Sequence, residues 1–531
     1  MNNQNEIRDF YSLHTFILPF VWKHEKSTLS FEKLCECFKV EKGWHLNTPL
    51  EDFENRGKSF SEQDRLFYNE YCYFYPQVQK AIYDNSEDIV RTFSYKPEKM
   101  GLPAAKYIIR KGDKTYELQL NGVELKLYST GIGLFVLKCE NRKYSSVTEV
   151  KNINEYGRRV ILPAILDGDG NLIADSLSLV IGEKEQYESN FSDVITNREI
   201  HLDALCKFME DLLTDSTGLV FTSDKNCDKS DVLLMRALDD RMFVYTYLKD
   251  KAFIDEFCRK TEVNGEDVKY EYQEMDKMKY LYGLMFVDPA GDCSCQDEQM
   301  CRELVENHLY KRWIDYGSIY SIVPQAAIMM TTGEAAYLVD HFNTIYYQLS
   351  CFVLAQRVSL ITFQRELTEI SRVTKDYKRT KMLLDLRERF SVFEASMYYE
   401  EITAQEQGIE LYKMFRECLS LEAEMENVKS QINGLSESAD IYLDLNFNKI
   451  GSVLAIIAAV YSCMEILSGV FQGEDPYSVS ARIWFTVGCA APFVIVPVLF
   501  WLCRNRRVLR LVNWIKNGTK KIIANKFKKR S

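Results

Sequence analysis

The chain lacks the motifs of the common nucleotide and hydrolase sites. It has no Walker loop, no complete G-x-G-x-x-G, no H-E-x-x-H and no G-x-S-x-G, so nothing in it points to an enzyme. Met1 to Glu6 carries no basic n-region and no small-residue cleavage site follows, so no signal peptide is expected. Fifteen cysteines, an odd number spread from Cys35 to Cys503, do not form a disulfide framework and point to a reducing compartment. No internal repeat is found. With only 11 prolines and 24 glycines in 531 residues, and 46% hydrophobic against 27% charged residues, collagen, disorder and a small disulfide scaffold are excluded.

Charge is unevenly placed. Residues 504–531 hold eleven Lys and Arg and no Asp or Glu, which leaves residues 1–503 at −22. An acidic body argues against direct nucleic-acid binding, whereas a basic tail suits anionic lipid. Two apolar runs precede that tail. Ile450–Phe471 contains one ionisable residue, Glu465, and Ile483–Cys503 contains none. Each is long enough for a hydrocarbon core of roughly 30 Å. The reading is therefore a multi-pass protein of the inner (cell) membrane with both termini cytoplasmic by the positive-inside rule.

Upstream, Leu411, Met414, Cys418, Leu421, Met425, Val428, Ile432, Leu435, Ala439 and Tyr442 recur at spacings of three and four. That is a heptad seam and predicts oligomerisation. No proline lies between Ile409 and Phe471, so one continuous helix is expected there. Ser350–Arg389 is a second helical stretch, with a break expected near 403–408. Nearer the amino terminus the period changes to two. Strands are expected at 106–110, 116–120, 123–128, 132–138, 243–247, 280–287 and 318–323, and helices near 59–84, 198–214, 230–240 and 297–312. Asn121-Gly122 is a hairpin signal. The fold class is a mixed α/β cytosolic domain, a long stalk helix and two carboxy-terminal transmembrane helices. The divisions fall at 1–350, 351–448, 449–503 and 504–531.

Candidate sites follow from residue types. Asn448, Ser452, Ala455, Ala459, Ser462, Glu465, Ser468 and Gln472 form a small and polar line on one helical face, and Glu474 and Asp475 follow it. A carboxylate such as Glu465 inside a bilayer usually faces a water-filled path, so these residues are the expected pore. A helix-packing face is the alternative. Arg158 and Arg159 follow Tyr156-Gly157, and adjacent guanidinium groups can fork onto phosphate oxygens. A surface ion pair is the alternative. Asp224 ends an apolar run with hydroxyls suited to a ribose, or forms a plain turn. Asp167 to Asn171 opens like a calcium loop, but Leu172 and Ser178 occupy the positions that need Gly and Glu. Cys293, Cys295, Cys301 and His308 are N/S ligands without the paired spacing of a zinc site.

Taken together, the large front domain, the long helix entering Asn448 to Ala458, the exit at Ser468 to Phe471, the second span and the basic tail resemble the CorA superfamily of divalent-cation channels. The positions of that family's Gly-Met-Asn filter read Gln472-Gly473-Glu474. The phrases His14 to Phe20, Asn69 to Pro76, Leu127 to Gly133 and Asn154 to Arg159 resemble a divergent bacterial branch associated with type III CRISPR defence. The resemblance implies a homopentamer, a pore through the first span, Mg²⁺ as permeant or regulatory ion, and gating by a nucleotide second messenger. The other expectations are a housekeeping divalent-cation transporter and a non-conducting membrane-anchored binding module.

Overall fold

The computed structural model describes residues 10–24, 30–47, 61–83, 89–96, 105–161, 173–181, 185–191, 206–225, 227, 230–263, 267–288, 293–374 and 376–472. The chain divides into two compact units, Met1–Ile432 and Asn433–Ser531. The helices that follow residue 350 therefore belong, up to Ile432, with the sheet.

The strands are β1 (Tyr11–His24), β2 (Trp44–Leu46), β3 (Val90–Tyr95), β4 (Lys106–Lys111), β5 (Lys114–Tyr128), β6 (Ile132–Asn141), β7 (Ser176–Ile181), β8 (Glu185–Asn190), β9 (Phe221–Thr222), β10 (Val232–Arg236), β11 (Phe243–Lys249), β12 (Lys260–Val263), β13 (Asp267–Tyr270), β14 (Leu309–Tyr310), β15 (Ser318–Val323) and β16 (Ala326–Thr331). All but the β12–β13 pair belong to one sheet, with the order β14-β15-β16-β11-β1-β6-β5-β4-β7-β8. β10 joins the sheet on β1, and β3 joins it on β5. The helices are α1 (Phe31–Cys35), α2 (Glu62–Tyr73), α3 (Pro76–Tyr83), α4 (Val147–Arg158), α5 (Lys207–Thr217), α6 (Lys251–Phe257), α7 (Met275–Met285), α8 (Glu298–Asn307), α9 (Tyr337–Asn343), α10 (Ile345–Arg372), α11 (Asp376–Met397), α12 (Glu406–Cys418) and α13 (Leu421–Gln472).

β1 is buried on both faces, which is why Phe16 to Trp22 reads as an almost unbroken apolar run. One edge pairs with β6 along Ser12 to Val21. The other edge pairs with β11 from Tyr11 to Ile17 and with β10 from Phe20 to His24. Pro19 falls in the gap between these two partners, where its missing N–H breaks no ladder bond on that edge. Phe16, Leu18, Phe20 and Trp22 join one core with Leu125, Leu127, Phe135 and Leu137. A second core gathers α6, α7 and α8 around Ile254, Leu281, Cys301 and Ile328.

Several expectations change. Asn121-Gly122 is not a hairpin: it is a bulge within β5, marked by a register shift between Leu120 and Gly122 against β6. Residues 280–287 lie mostly in α7, where Met278, Leu281, Leu284 and Met285 are buried at helical spacing. The 230–240 stretch contains β10, whose short apolar run Val232-Leu233-Leu234 reads equally as helix or strand until β1 takes it. The 409–471 helix breaks between α12 and α13, where Ser420 adopts a left-handed φ of 52°. The stretch read as one helix over 350–389 ends at Arg372 and resumes at Asp376.

The membrane reading is corrected. Among the described residues no helix is long and apolar enough to cross a membrane, which does not fit a multi-pass protein with two transmembrane helices. Residues 483–503 and the basic tail lie outside the described residues.

The first half of the heptad seam also has a different partner. Leu411, Leu421, Met425, Val428 and Ile432 are buried within the single chain. Gln364 of α10 donates to Glu424 at the start of α13, and the Arg357 guanidinium pairs with the same carboxylate at 3.0 Å. This part of the seam holds α13 to its own fold. Val428→Asp should therefore lower unfolding stability by about 3 kcal/mol or more, because a carboxylate would replace a fully buried methyl pair. Urea titration checks this, and a variant as stable as the parent would contradict the placement.

Candidate functional site

The paired arginines lie on α4, a helix capped by the Ser146 hydroxyl, which accepts from the Glu149 amide at 3.2 Å. Most of α4 is buried, so its polar side chains must find partners inside the protein. Glu155 supplies one. Its Oε2 accepts from Arg158 Nε at 2.9 Å and Nη2 at 2.6 Å, and its Oε1 accepts from Arg159 Nε at 2.8 Å. Arg158 Nη2 also donates to the Val287 carbonyl at 3.0 Å, and Arg159 Nη1 to Asp240 Oδ2 at 2.8 Å. Arg158 is 2% exposed. Burial pushes its guanidinium down to about 10, with Glu155 acting in the opposite direction.

The phosphate-binding reading of Arg158 and Arg159 is therefore replaced by an internal brace. Glu155 occupies the fork that a phosphate would need, and Asp240 takes the outer face of Arg159. The loop after β10 is gripped from the other side too, since Arg365 of α10 donates to the carbonyls of Arg236 and Ala237 at 3.0 and 3.2 Å. Gly157 serves packing. A Cβ there would lie 2.8 Å from both Ile109 Cδ1 and Phe16 Cζ, so glycine lets α4 lie close on the sheet. Asp224 is exposed in a turn, its amide donating to Thr222 Oγ1 at 3.0 Å, and it is not among the partners of the arginines.

A second buried network escaped the sequence reading. His14 of β1 is fully buried, and its Nδ1 lies 2.7 Å from Asn154 Oδ1 while its Nε2 lies 3.0 Å from Ser12 Oγ. Thr246 Oγ1 donates to the same Asn154 oxygen at 3.2 Å, and Asn141 Nδ2 donates to Ser12 Oγ at 2.9 Å. An amide oxygen can only accept, so His14 carries its proton on Nδ1 and accepts the Ser12 hydroxyl on Nε2. Burial lowers the imidazole to about 4, against a small upward pull from Asn154.

A third group lies where α10 covers the polar face of β5. Glu124 Oε1 accepts from Lys138 Nζ at 2.5 Å and its Oε2 from the Tyr347 hydroxyl at 2.6 Å, while Lys126 Nζ donates to Gln348 Oε1 at 3.1 Å. The Lys138 ammonium also lies 4.0 Å from the centre of the Tyr347 ring. Burial pushes Glu124 up, but Lys138 and Lys126 outweigh it and hold the carboxylate below its usual range. Glu70 accepts from Tyr83 Oη at 2.8 Å, and burial raises its carboxyl. The period-two pattern of β5 was legible, but the helix that meets its charged face was not.

Of the expected pore line, Asn448, Ser452 and Ser462 are exposed on α13. Glu465 and Gln472 fall within α13, though their side chains lie outside the described residues, as do Glu474, Asp475 and the 167–171 loop. Among the described residues no group of three or more His, Cys, Asp and Glu could hold a metal ion. No protein-family model, curated protein or solved structure matches the chain. Nothing in these comparisons bears on the CorA-like resemblance.

Two outcomes test the buried networks. Arg158→Ala should cost about 3–5 kcal/mol of unfolding free energy, because it removes one of two cations from a buried carboxylate. For His14 the folded pKa is depressed, so its stabilisation is complete above pH 6.5 and is lost as the pH falls through 4. The loss is about 3 kcal/mol as the unfolded chain takes up the proton that the buried ring refuses. Urea unfolding from pH 7 to 4 measures that slope, and His14→Gln should flatten it.

Proposed function

We propose that the chain is a homo-oligomeric, non-enzymatic binding protein whose copies join through the distal part of α13. One observation carries this reading. Phe447, Ile450, Leu454, Ile457 and Tyr461 are all exposed, between 58% and 72%, and they repeat at three, four, three and four residues. That spacing draws a single seam down one helical face, with Val453 and Val460 beside it. Asn448, Ser452, Ala455, Ala459 and Ser462 lie on the opposite face. An exposed apolar stripe of this kind needs a cover, and a second copy of the same helix supplies matching knobs and holes.

The absence of hydrolase and nucleotide motifs supports a binding role over catalysis. So do the three buried ionic and polar groups, which are largely spent on each other. A nucleotide-type ligand would need a site other than Arg158 and Arg159. The expectation of ion conduction drew on the two spans corrected above.

Light scattering of the full chain should give a mass of several copies. Replacing both Ile450 and Ile457 with Asp should shift it to one copy with an unchanged far-ultraviolet circular dichroism spectrum, since these side chains leave the sheet unit's cores untouched. A parent chain that is already a monomer, or a double variant of unchanged mass, would overturn the proposal.

A further inference from the structure

Three thiols far apart in character meet at the start of α8. Asp297 caps this helix, its Oδ1 accepting from the Met300 amide at 2.7 Å, and Cys293-Ser294-Cys295 leads into that cap. Cys293 Sγ donates to the Cys295 carbonyl at 3.4 Å, and Cys295 Sγ to the Asp297 carbonyl at 3.7 Å. The Cys301 thiol adjoins the thiols of both. Cys295 and Cys301 lie inside the second core, with Cys301 fully buried, whereas Cys293 packs against that core from outside and is half-buried.

The surroundings are charged. The Lys151 ammonium, 8% exposed with its residue, sits against Gly283, close enough that a Cβ there would lie 2.5 Å from Nζ, and it faces Cys293 and Asp288. Lys279 faces Cys301, and Asp297 faces Cys295. No ion pair to Lys151 within 4 Å is found among the described residues. Of the three thiols, Cys293 is the one with access to solvent.

We propose that Cys293, Cys295 and Cys301 form a thiol–disulfide site whose reactant is a small-molecule disulfide of the glutathione type. Cys293 is the entry thiol and Cys301 the resolving thiol. The Cys293 thiolate attacks one sulfur of the reactant, forming a mixed disulfide and expelling one small thiolate. The Cys301 thiol then attacks the Cys293 sulfur and its proton passes to the departing sulfur, so the second small molecule leaves as a thiol. Two protein thiols are oxidised to one disulfide and one small disulfide is reduced to two thiols, so atoms and electrons balance. The order follows from access. Burial pushes the Cys301 thiol up to about 12 and raises Cys295 as well, so neither starts the exchange.

The experiment uses the full chain and oxidised glutathione, followed by alkylation and peptide mapping by mass spectrometry. The expected product is a 293–301 disulfide that protects Cys293 and Cys301 from alkylation and is reversed by dithiothreitol. Cys301→Ser should stop at the first step, with one glutathione retained on Cys293, and Cys293→Ser should reduce the protected fraction to background. Cys295→Ser should still form the bond. Full alkylation of all three thiols in the treated parent chain would overturn the proposal. So would a mapped bond that excludes Cys293, and both outcomes are read without relying on any variant.

Discussion

The large sheet depends on β1 being paired along most of its length on both edges. A 14-residue strand presents an N–H and a C=O at every non-proline position, and in a buried setting each must be met. β6 meets one edge unbroken. On the other edge two shorter strands, β11 and β10, divide the work, and Pro19 stands at their junction. Because β11 leads on to β16 in parallel and β6 leads on to β5 and β4 in antiparallel, both wings of the sheet take their position from this one strand.

Burial of polar groups on α4 and β5 follows from the same arrangement. Where helices pack on the central strands the polar side chains are withdrawn from water, so Glu155, Arg158, Arg159 and Asp240 must neutralise one another, and the part-buried Glu124 and Lys138 do the same. Such groups are strongly destabilising when one partner is lost and contribute little as complete sets. They mark which helix sits on which strand more than they hold the fold together.

Much of the period-two architecture was legible. Strands β4, β6, β11 and β15 appear in the sequence as alternation bounded by turn residues, and helix α8 as an amphipathic run. Short apolar runs were not, because Val232 to Leu234 has no period to read, and the helical pattern of α7 was masked by Tyr280, Tyr282 and Phe286, which have high strand propensity. The site residues were harder. Two adjacent arginines after a glycine look alike whether they await a phosphate or already hold Glu155, since their partner Asp240 lies 81 residues on. The heptad spacing after residue 411 was correctly periodic, yet spacing says nothing of whether the facing helix comes from the same chain or another.

The bulge at Asn121 sets the phase of β5. Before it the inward residues are the even-numbered Tyr116, Leu118 and Leu120, and after it the odd-numbered Val123, Leu125 and Leu127, all in the same core. A strand alternates strictly, so only the extra residue lets both halves face one way. Loss of that single position from the gene would remove the bulge and leave Leu120 and Gly122 as consecutive partners of Cys139 and Lys138, so both halves would keep their facing. One residue gained between Gly122 and Val123 would instead turn Glu124 and Lys126 into the core and three apolar residues toward α10. Length changes in β5 away from Asn121 are thus filtered by parity, with changes of two residues more tolerable than changes of one.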